Sequence, residues 1–365
     1  MVFRLFVLLL ILQGLIACDS ENLPDTSNPA NLEVEVNVAD DGSGYISIIA
    51  NADNAIEYQL LVGASEDPTA SNTTGEFEYT FDEMGSYQIE IRAYGSSGRY
   101  VKEVRQVSVT VGEEVSIEEG YITPLEYDGY SLIWNDEFNG TTINTNNWTF
   151  EIGNGCPNLC GWGNNELQYY RQENAWVDGE TLVIEARNES YMGSTYTSAR
   201  MKTQGKQSFQ YGRIDIRALL PKGQGIWPAL WMLGENISTI SWPACGEIDI
   251  MEMIGGSGRE NETHGTVHWD NEGHNYIGGS YTLQSGTFVD EYHVFSIIWD
   301  ESSIKWLVND TQFYEIDITP EHMSEFHQNH FFIFNIAVGG NWPGNPDQTT
   351  VFPQQMKVDY IRVFQ

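Results

Sequence analysis

The sequence predicts an all-β protein made of two sandwiches, and three observations indicate this fold class. Short apolar runs recur along the chain between stretches of Gly, Asn, Asp and Ser, as expected for strands joined by turns. Aromatic residues make up 13% of the chain and glycines number 35, which is typical of β-sandwiches. A chain of 365 residues is too long for one ordinary domain, so we expect two.

The first residues predict export. The segment "MVFRLFVLLLILQGLIACDS" has one Arg and then an apolar stretch too short for a comfortable membrane span. It resembles a bacterial lipoprotein signal, because "LIAC" matches the lipobox pattern. That resemblance implies removal of residues 1–17, acylation of Cys18, and a membrane anchor at the outer membrane or cell surface. An ordinary secretory signal with a chance Cys is the alternative, and in both cases the protein leaves the cytoplasm.

After a tether at residues 18–29, residues 30–112 predict a small β-sandwich. Runs such as "LEVEVNV", "GYISIIA" and "SYQIEIRAYG" alternate with turns. The stretch "YTFDEMGSYQIEIRAYGSSG" resembles the polycystic-kidney-disease-type, immunoglobulin-like modules appended to extracellular bacterial enzymes. No cluster of catalytic residue types lies in this module, so we expect a spacer or a weak glycan-binding role.

Residues 113–127, "EEVSIEEGYITPLEY", predict an acidic linker, because their charge and Pro fit poorly with a packed element. Residues 128–365 contain many strand runs, among them "LVIEAR", "YGRIDIRALL" and "FFIFNIAV", and almost no helical periodicity. This part of the chain predicts one large sandwich.

Three cysteines remain once Cys18 is assigned to the lipid. In an exported protein, Cys156 and Cys160 could close a small disulfide loop. Zinc is the weaker interpretation, since no His lies near them in the sequence. For Cys245 we favour a plain buried thiol over a nucleophile, because no His partner is evident near it.

The segment "CGEIDIMEMIG" at residues 245–255 places three carboxylates among Ile and Met. Alternation in a strand puts Glu247 and Asp249 on one face, but Glu252 falls one step late. One extra residue near Met251, a β-bulge, would return Glu252 to the face of the other two acids. We therefore predict that all three line one surface.

Clustered acids repel one another and raise each other's pKa, which favours a catalytic role over a structural one. Glycoside hydrolysis needs one ionised carboxylate to attack or activate and one protonated carboxyl to donate to the leaving oxygen. A calcium site is the alternative, because hard cations also bind carboxylate oxygens. A solvated acidic face fits poorly with the surrounding Ile and Met.

The charge balance restricts the partners. The chain has 17 basic and 52 acidic residues, a formal net charge of −35, which disfavours nucleic acid and sulfated polymers. Neutral partners are the simplest expectation. Indole faces stack on the apolar faces of sugar rings, and the tryptophans of "GIWPALWMLGENISTI" and "GGNWPGNPD" fit this interpretation.

The larger part of the chain resembles glycoside hydrolase family 16 and, within it, bacterial laminarinases. The resemblance is carried in order by "WNDEFNG", "GWGNNELQYY", "YGRIDIRALLPKGQGIWPALWML", "GEIDIMEMIG", "GTVHW", "NIAVGGNWPGNPD" and "VDYIRVFQ". It implies a concanavalin-like β-jelly-roll that cuts internal β-1,3-glucan bonds with retention of anomeric configuration. The bulged acidic strand is similar to laminarinases, agarases and carrageenases and unlike lichenases, so an agarase or another β-glycan hydrolase stays an alternative.

By the same resemblance, Glu247 is the nucleophile, Glu252 the acid/base and Asp249 the assisting carboxylate. No cofactor is expected for catalysis. The positions that match sugar subsites are Asn165, Glu166, Arg200, Trp227, Trp231, His268 and Trp342.

The family also implies a structural calcium, for which Glu137, the Gly179 carbonyl and Asp359 match the ligand positions. Surface or turn packing is the alternative for the two acids. A non-catalytic glycan-binding lipoprotein is the other class of function, although binding alone has no need of the acidic triplet. We expect a monomer that binds β-1,3-glucan.

Overall fold

The computed structural model describes the chain from residue 27 to 365, with gaps at 40–43, 64–66, 82, 111–114 and 257. The predicted signal peptide, Cys18 and most of the tether therefore lie outside the described residues. No helix in the described ranges is long and apolar enough to cross a bilayer.

The chain divides into two compact units. One contains the described residues up to Asn37 together with those of Ser47–Glu78 and Gln88–Arg105. The other contains Gln106–Gln365 together with Val38–Ile46 and Tyr79–Tyr87. The boundaries proposed at residues 112 and 128 stay predictions.

The N-terminal strands form two sheets, ordered β1-β2-β5 and β4-β3-β6-β7. Their described bounds are β1 Ala30–Val38, β2 Tyr45–Asp53, β3 Glu57–Val62, β4 Ala70–Asn72, β5 Glu76–Thr80, β6 Gly85–Tyr94 and β7 Tyr100–Val109. Apolar side chains alternate along them, so that Ile89, Ile91 and Ala93 of β6 are buried while residues between them are partly exposed. This pattern agrees with the predicted small sandwich.

The C-terminal strands form a larger two-sheet sandwich. Their described bounds are β8 Leu132–Asp136, β9 Thr149–Phe150, β10 Gln168–Tyr170, β11 Ala175–Val177, β12 Leu182–Ala186, β13 Tyr196–Ser198, β14 Arg200–Lys202, β15 Gly212–Leu219, β16 Ile226–Gly234, β17 Glu247–Glu252, β18 Glu262–Asp270, β19 His274–Thr282, β20 His293–Trp299, β21 Ser303–Val308, β22 Thr311–Asp317, β23 His330–Val338 and β24 Gln354–Phe364. The only regular helices in the described ranges are short 3₁₀ turns at Cys160–Gly163, Gln172–Asn174, Glu235–Ser238 and Glu321–Phe326.

One sheet of this sandwich has the order β19-β18-β17-β16-β23-β14-β9, and we call it the seven-stranded sheet. The other has the order β11-β12-β24-β15-β20-β21-β22 with β8 paired to β24, and we call it the eight-stranded sheet. Buried side chains from both sheets, among them Ile248, Trp306 and Phe334, form one large core. The acidic strand β17 lies in the seven-stranded sheet between β16 and β18.

The described part of the predicted linker packs against the eight-stranded sheet. Arg217 is fully buried and donates to three main-chain carbonyls of this linker, those of Ile117, Glu119 and Tyr121, at 2.7–2.8 Å. The amide and hydroxyl of Thr123 both bond to the Tyr360 hydroxyl. These contacts are made mostly by main-chain groups, so an acidic sequence with a Pro can still pack. We call residues 115–127 the strap.

Candidate active site

The predicted bulge is present in β17. Against β16, Met251 pairs with Leu230 and Asp249 pairs with Trp231, so Ile250 is the extra residue. Ile250 and Met251 are consecutive, and both are buried in the core. Glu247 and Asp249 lie on the opposite face by alternation, and the bulge returns Glu252 to that same face. Against β18, both Ile250 and Met251 are unpaired, so the bulge lies near Met251 as expected and the structure brings the three acids together.

Each outer carboxylate accepts a hydrogen bond from an indole. Trp242 Nε1 donates to Glu247 Oε2 at 2.9 Å, and Trp227 Nε1 donates to Glu252 Oε1 at 3.0 Å. Asp249 lies between them and is buried. The indoles orient the two glutamates, because each fixes one carboxylate oxygen by a directed donor.

The pKa values of the three acids are all raised above those of ordinary carboxyls. Burial raises the pKa of Glu247 to about 8, and the negative charge of Asp249 adds to this effect. Burial also raises the pKa of Asp249 and that of Glu252 to about 8, with Asp249 again adding to the rise at Glu252. Adjacent carboxyls of this kind titrate as a group, so the cluster retains protons at neutral pH.

A histidine lies beside two of the acids. His268 Nε2 lies 3.6 Å from Glu247 Oε1 and 3.2 Å from Asp249 Oδ2. Its other nitrogen, Nδ1, lies 2.8 Å from His274 Nε2. Each glutamate thus has one indole donor, Trp242 for Glu247 and Trp227 for Glu252, and a positive charge on His268 lowers the pKa of both.

Arg200, Trp231 and Glu166 belong to one polar and aromatic network beside Asp249. The Arg200 guanidinium lies over the Trp162 ring at 4.6 Å and over the Trp231 ring at 4.8 Å. Trp231 is the cross-strand neighbour of Asp249 on β16. Arg200 also forms an ion pair with Glu151 at 2.6 Å, which holds its position.

Hydrogen bonds extend this network. Trp231 Nε1 donates to Asn335 Oδ1 at 2.7 Å, and Asn335 Nδ2 donates to the Tyr170 hydroxyl at 3.2 Å. The Tyr170 hydroxyl in turn donates to Glu166 Oε2 at 3.2 Å. Burial raises the pKa of Glu166, and the charge of Arg200 opposes this rise. A fixed indole beside an amide and a carboxylate can stack on a sugar ring and bind its hydroxyls.

Asn165 and Trp342 lie on two loops that meet. Asn165 Nδ2 donates to Asn341 Oδ1 at 2.8 Å, and the Asn341 amide donates to the Asn164 carbonyl. The Trp342 ring stands edge-on to Trp227 with 5.5 Å between ring centroids, and 41% of Trp342 is exposed. The second loop therefore carries a partly exposed aromatic ring next to the indole that binds Glu252.

The cysteines lie close to this site. Cys156 and Cys160 form a disulfide in the loop that leads to Trp162 and Asn165. Cys245 is a free, buried thiol whose pKa is raised to about 11 by burial. A protonated, buried sulfur is a poor nucleophile, which agrees with the structural role expected for Cys245.

The expected calcium ligands have other partners. Both Glu137 oxygens accept from Arg362, at 2.9 and 2.7 Å, and Asp359 Oδ2 lies 2.7 Å from Arg217 Nη1. Arginine guanidinium groups therefore pair with both carboxylates in this structure, and calcium at Glu137, the Gly179 carbonyl and Asp359 stays a prediction. The turn and packing role weighed for Glu137 and Asp359 describes the contacts seen.

Several site residues were missed by the sequence prediction. Trp242 precedes Glu247 by five positions in "SWPACGEID", and an aromatic residue so close to the acids was an available signal. His274, Trp162 and Asn335 gave no such signal, because they reach the acids through loop and sheet contacts between distant parts of the chain.

Comparison with known proteins agrees with the geometry. Residues 160–362, more than half of the chain, match the model of glycosyl hydrolases family 16. The chain is 42% identical over 238 residues to the clotting factor G alpha subunit of Tachypleus tridentatus, covering 65% of this chain and 34% of that protein. It is 38% identical over 279 residues to glucan endo-1,3-beta-glucosidase A1 of Niallia circulans, covering 70% of this chain and 40% of that protein. The chain thus spans well under half the length of these two relatives.

A solved structure supports the fold. The laminarinase catalytic domain of Thermotoga maritima matches with a TM-score of 0.60 and 47% identity, over 65% of this chain and 98% of that domain. The all-β sandwich is therefore confirmed as the jelly-roll that the sequence predicted. Because the family match agrees with the bulged acidic strand and with the sandwich fold, we conclude that this chain belongs to glycosyl hydrolases family 16.

Proposed function

We propose that the protein is an endo-acting β-1,3-glucanase that hydrolyses laminarin-type polysaccharide with retention of anomeric configuration. The observation that carries this proposal is the bulge in β17, which sets three carboxyls with raised pKa values on one face between two indole donors. The names of the Niallia enzyme and the Thermotoga domain support the choice of β-1,3-glucan.

In the first half-reaction, a Glu247 oxygen attacks the anomeric carbon and the glycosidic C–O bond breaks. The departing oxygen takes the proton of Glu252. Whenever Asp249 is ionised, its charge favours retention of that proton until the leaving group needs it, because a neighbouring anion raises the pKa of Glu252.

In the second half-reaction, water attacks the glycosyl–Glu247 ester and gives a proton to Glu252. The carboxylate of Glu247 then leaves with the electron pair of the ester bond. Trp242 helps here, because its indole N–H donates to Glu247 and stabilises that carboxylate as a leaving anion. The network of Arg200, Trp231 and Asn335 lies where it can hold a sugar ring beside the reacting bond.

A substrate panel tests this proposal. Purified protein is incubated with laminarin, curdlan, lichenan and agarose, with Glu252→Gln as the inactive control, and reducing ends are measured together with viscosity. We expect cleavage of laminarin, with viscosity falling early because internal bonds are cut. Cleavage of agarose instead of laminarin would assign the chain to another β-glycan, and binding without any new reducing ends would make it a glycan-binding protein.

We also propose that the protein is exported and held on a bacterial membrane by lipid at Cys18. The support is the "LIAC" pattern, and an acyl chain adds about 0.8 kcal/mol of membrane affinity per buried CH₂. Cys18→Ala should move the protein from the membrane fraction to the soluble fraction. A variant that still sediments with membranes would exclude this anchor.

A further inference from the structure

Two paired glycines on neighbouring strands leave the backbone of the seven-stranded sheet without side chains beside the bulge. Gly265 on β18 and Gly279 on β19 are register partners. A Cβ on Gly265 would lie 2.3 Å from Trp306 Cδ1, and one on Gly279 would lie 2.6 Å from the Tyr314 ring. Trp306 and Tyr314 are themselves partners on β21 and β22. Two rings of the eight-stranded sheet therefore press directly on the backbone of the seven-stranded sheet.

Through this gap, Trp306 contacts the bulge itself. Trp306 is fully buried, and its Nε1 donates to the main-chain carbonyl of Asp249 at 2.8 Å. On the β18 side, Asp249 pairs with Thr266 and Glu252 pairs with His264, so Gly265 faces the two bulged residues. The indole N–H thus binds a carbonyl at the point where the bulge interrupts the regular ladder.

We propose that Trp306 is a positioning residue for Glu252, and that Gly265 is required because it admits the indole. The inference rests on the proposed function, in which Glu252 is the acid/base. Without the bulge, the alternation of β17 would turn Glu252 away from Glu247 and Asp249. Even a partial loss of the bulge matters, because a displacement of about 1 Å at a reacting group can lower the rate about 100-fold.

Trp306→Phe removes the indole N–H and keeps an aromatic ring in the core. Trp299→Phe is the matched control, because Trp299 is equally buried and its Nε1 donates to another main-chain carbonyl, that of Phe326, at 3.0 Å. Both variants lose the same kind of bond, so both should lose similar thermal stability. Only the first loses a bond to the bulge.

The distinguishing measurement is kcat/KM on two substrates with different leaving groups. A laminari-oligosaccharide needs a proton on its departing oxygen, whereas a dinitrophenyl laminaribioside departs without one. We expect Trp306→Phe to lower kcat/KM about tenfold or more on the oligosaccharide and far less on the dinitrophenyl glycoside. Trp299→Phe should change kcat/KM by the same factor on both substrates. Hydrogen exchange of the backbone across residues 248–253 should rise in Trp306→Phe and stay unchanged in Trp299→Phe.

The inference would be overturned if the two Phe variants lost kcat/KM on the oligosaccharide by the same factor. It would also be overturned if Trp306→Phe lowered kcat/KM by the same factor on both substrates. If wild-type protein cleaves neither substrate, the proposed function fails. The exchange measurement needs no activity, and unchanged exchange in Trp306→Phe would then overturn the positioning role as well.

If Trp306→Phe does not fold, the glycines give a second matched pair. Gly265→Ala displaces the indole from the bulge, whereas Gly279→Ala meets the Tyr314 ring at a similar distance. The inference predicts the leaving-group effect in Gly265→Ala alone. The same effect in both Ala variants would overturn it.

Discussion

Removal of the strap should destabilise the sandwich although it takes away no residue of the site. A protein that begins at residue 128 leaves Arg217 without the three carbonyls that it binds at 2.7–2.8 Å. Each such bond contributes about 1 kcal/mol net, because water replaces the carbonyl once the strap is gone. The loss from Arg217 is therefore about 3 kcal/mol in the free energy of unfolding, or roughly 6–12 °C in Tm for a domain of this size.

The assay is differential scanning calorimetry of three proteins that begin at residues 18, 115 and 128. We expect the protein that begins at 115 to keep the Tm of the large sandwich and the one that begins at 128 to lose it. Tyr121→Phe in the longest protein is a graded control, since it removes only the exposed bond to Asp310 and should cost less than about 1 kcal/mol. Equal Tm values for the proteins that begin at 115 and 128 would refute the role of Arg217. Their initial rates on a short soluble glucan below both Tm values should agree.

Two further predictions concern the acids. Trp242→Phe removes the donor to Glu247 and so disfavours its anion. We expect about a tenfold lower kcat/KM and a higher pKa for the acidic limb of the pH–rate profile. An unchanged pKa of that limb would count against a role for this bond. Glu252→Gln should raise Tm at neutral and alkaline pH. The folded-state pKa of Glu252 is raised to about 8, so the native protein loses stability as pH rises from about 4.5 through 8, and Gln does not share that loss. The difference in Tm should vanish near pH 4, and a difference that is independent of pH would exclude desolvation of Glu252 as its cause.

The acidic strand could be predicted from sequence because the side-chain period of a strand is fixed at two. Glu247, Asp249 and Glu252 can share a face only if one residue is inserted, so the spacing itself implies the bulge. The insertion was expected near Met251, and the register leaves Ile250 unpaired against β16 and both Ile250 and Met251 unpaired against β18. The exact pairing depends on the neighbouring strands, which the strand's own sequence does not specify.

The support of the bulge could not be predicted in the same way. Trp306 lies on the other sheet, 57 residues after Asp249 in the chain. A buried Trp is an ordinary core residue in any local pattern, and only the tertiary fold brings its N–H to the Asp249 carbonyl. Gly265 likewise resembles any strand glycine until the ring that it admits is located.

The packing of the strap and the arginine partners of Glu137 and Asp359 could not be predicted from the sequence for a related reason. The strap was predicted as a linker from its side chains, yet Arg217 binds its main-chain carbonyls, which every sequence carries. The calcium prediction followed the positions of Glu137 and Asp359 along the chain. Their pairing with Arg362 and Arg217 depends on neighbours in the sheet that position alone does not reveal.

Azide rescue tests the assignment of Glu247 and Glu252 most directly. Truncation of either residue to Ala leaves space for a small anion, and the product made from an activated glycosyl donor records which face azide attacked. Glu252→Ala should give a β-glycosyl azide, because azide intercepts the covalent intermediate on Glu247. Glu247→Ala should give the α-azide by direct displacement, with both anomers identified by NMR. Interchanged products would reverse the two roles, and rescue in neither variant, with hydrolysis retained in both, would remove these carboxylates from the mechanism.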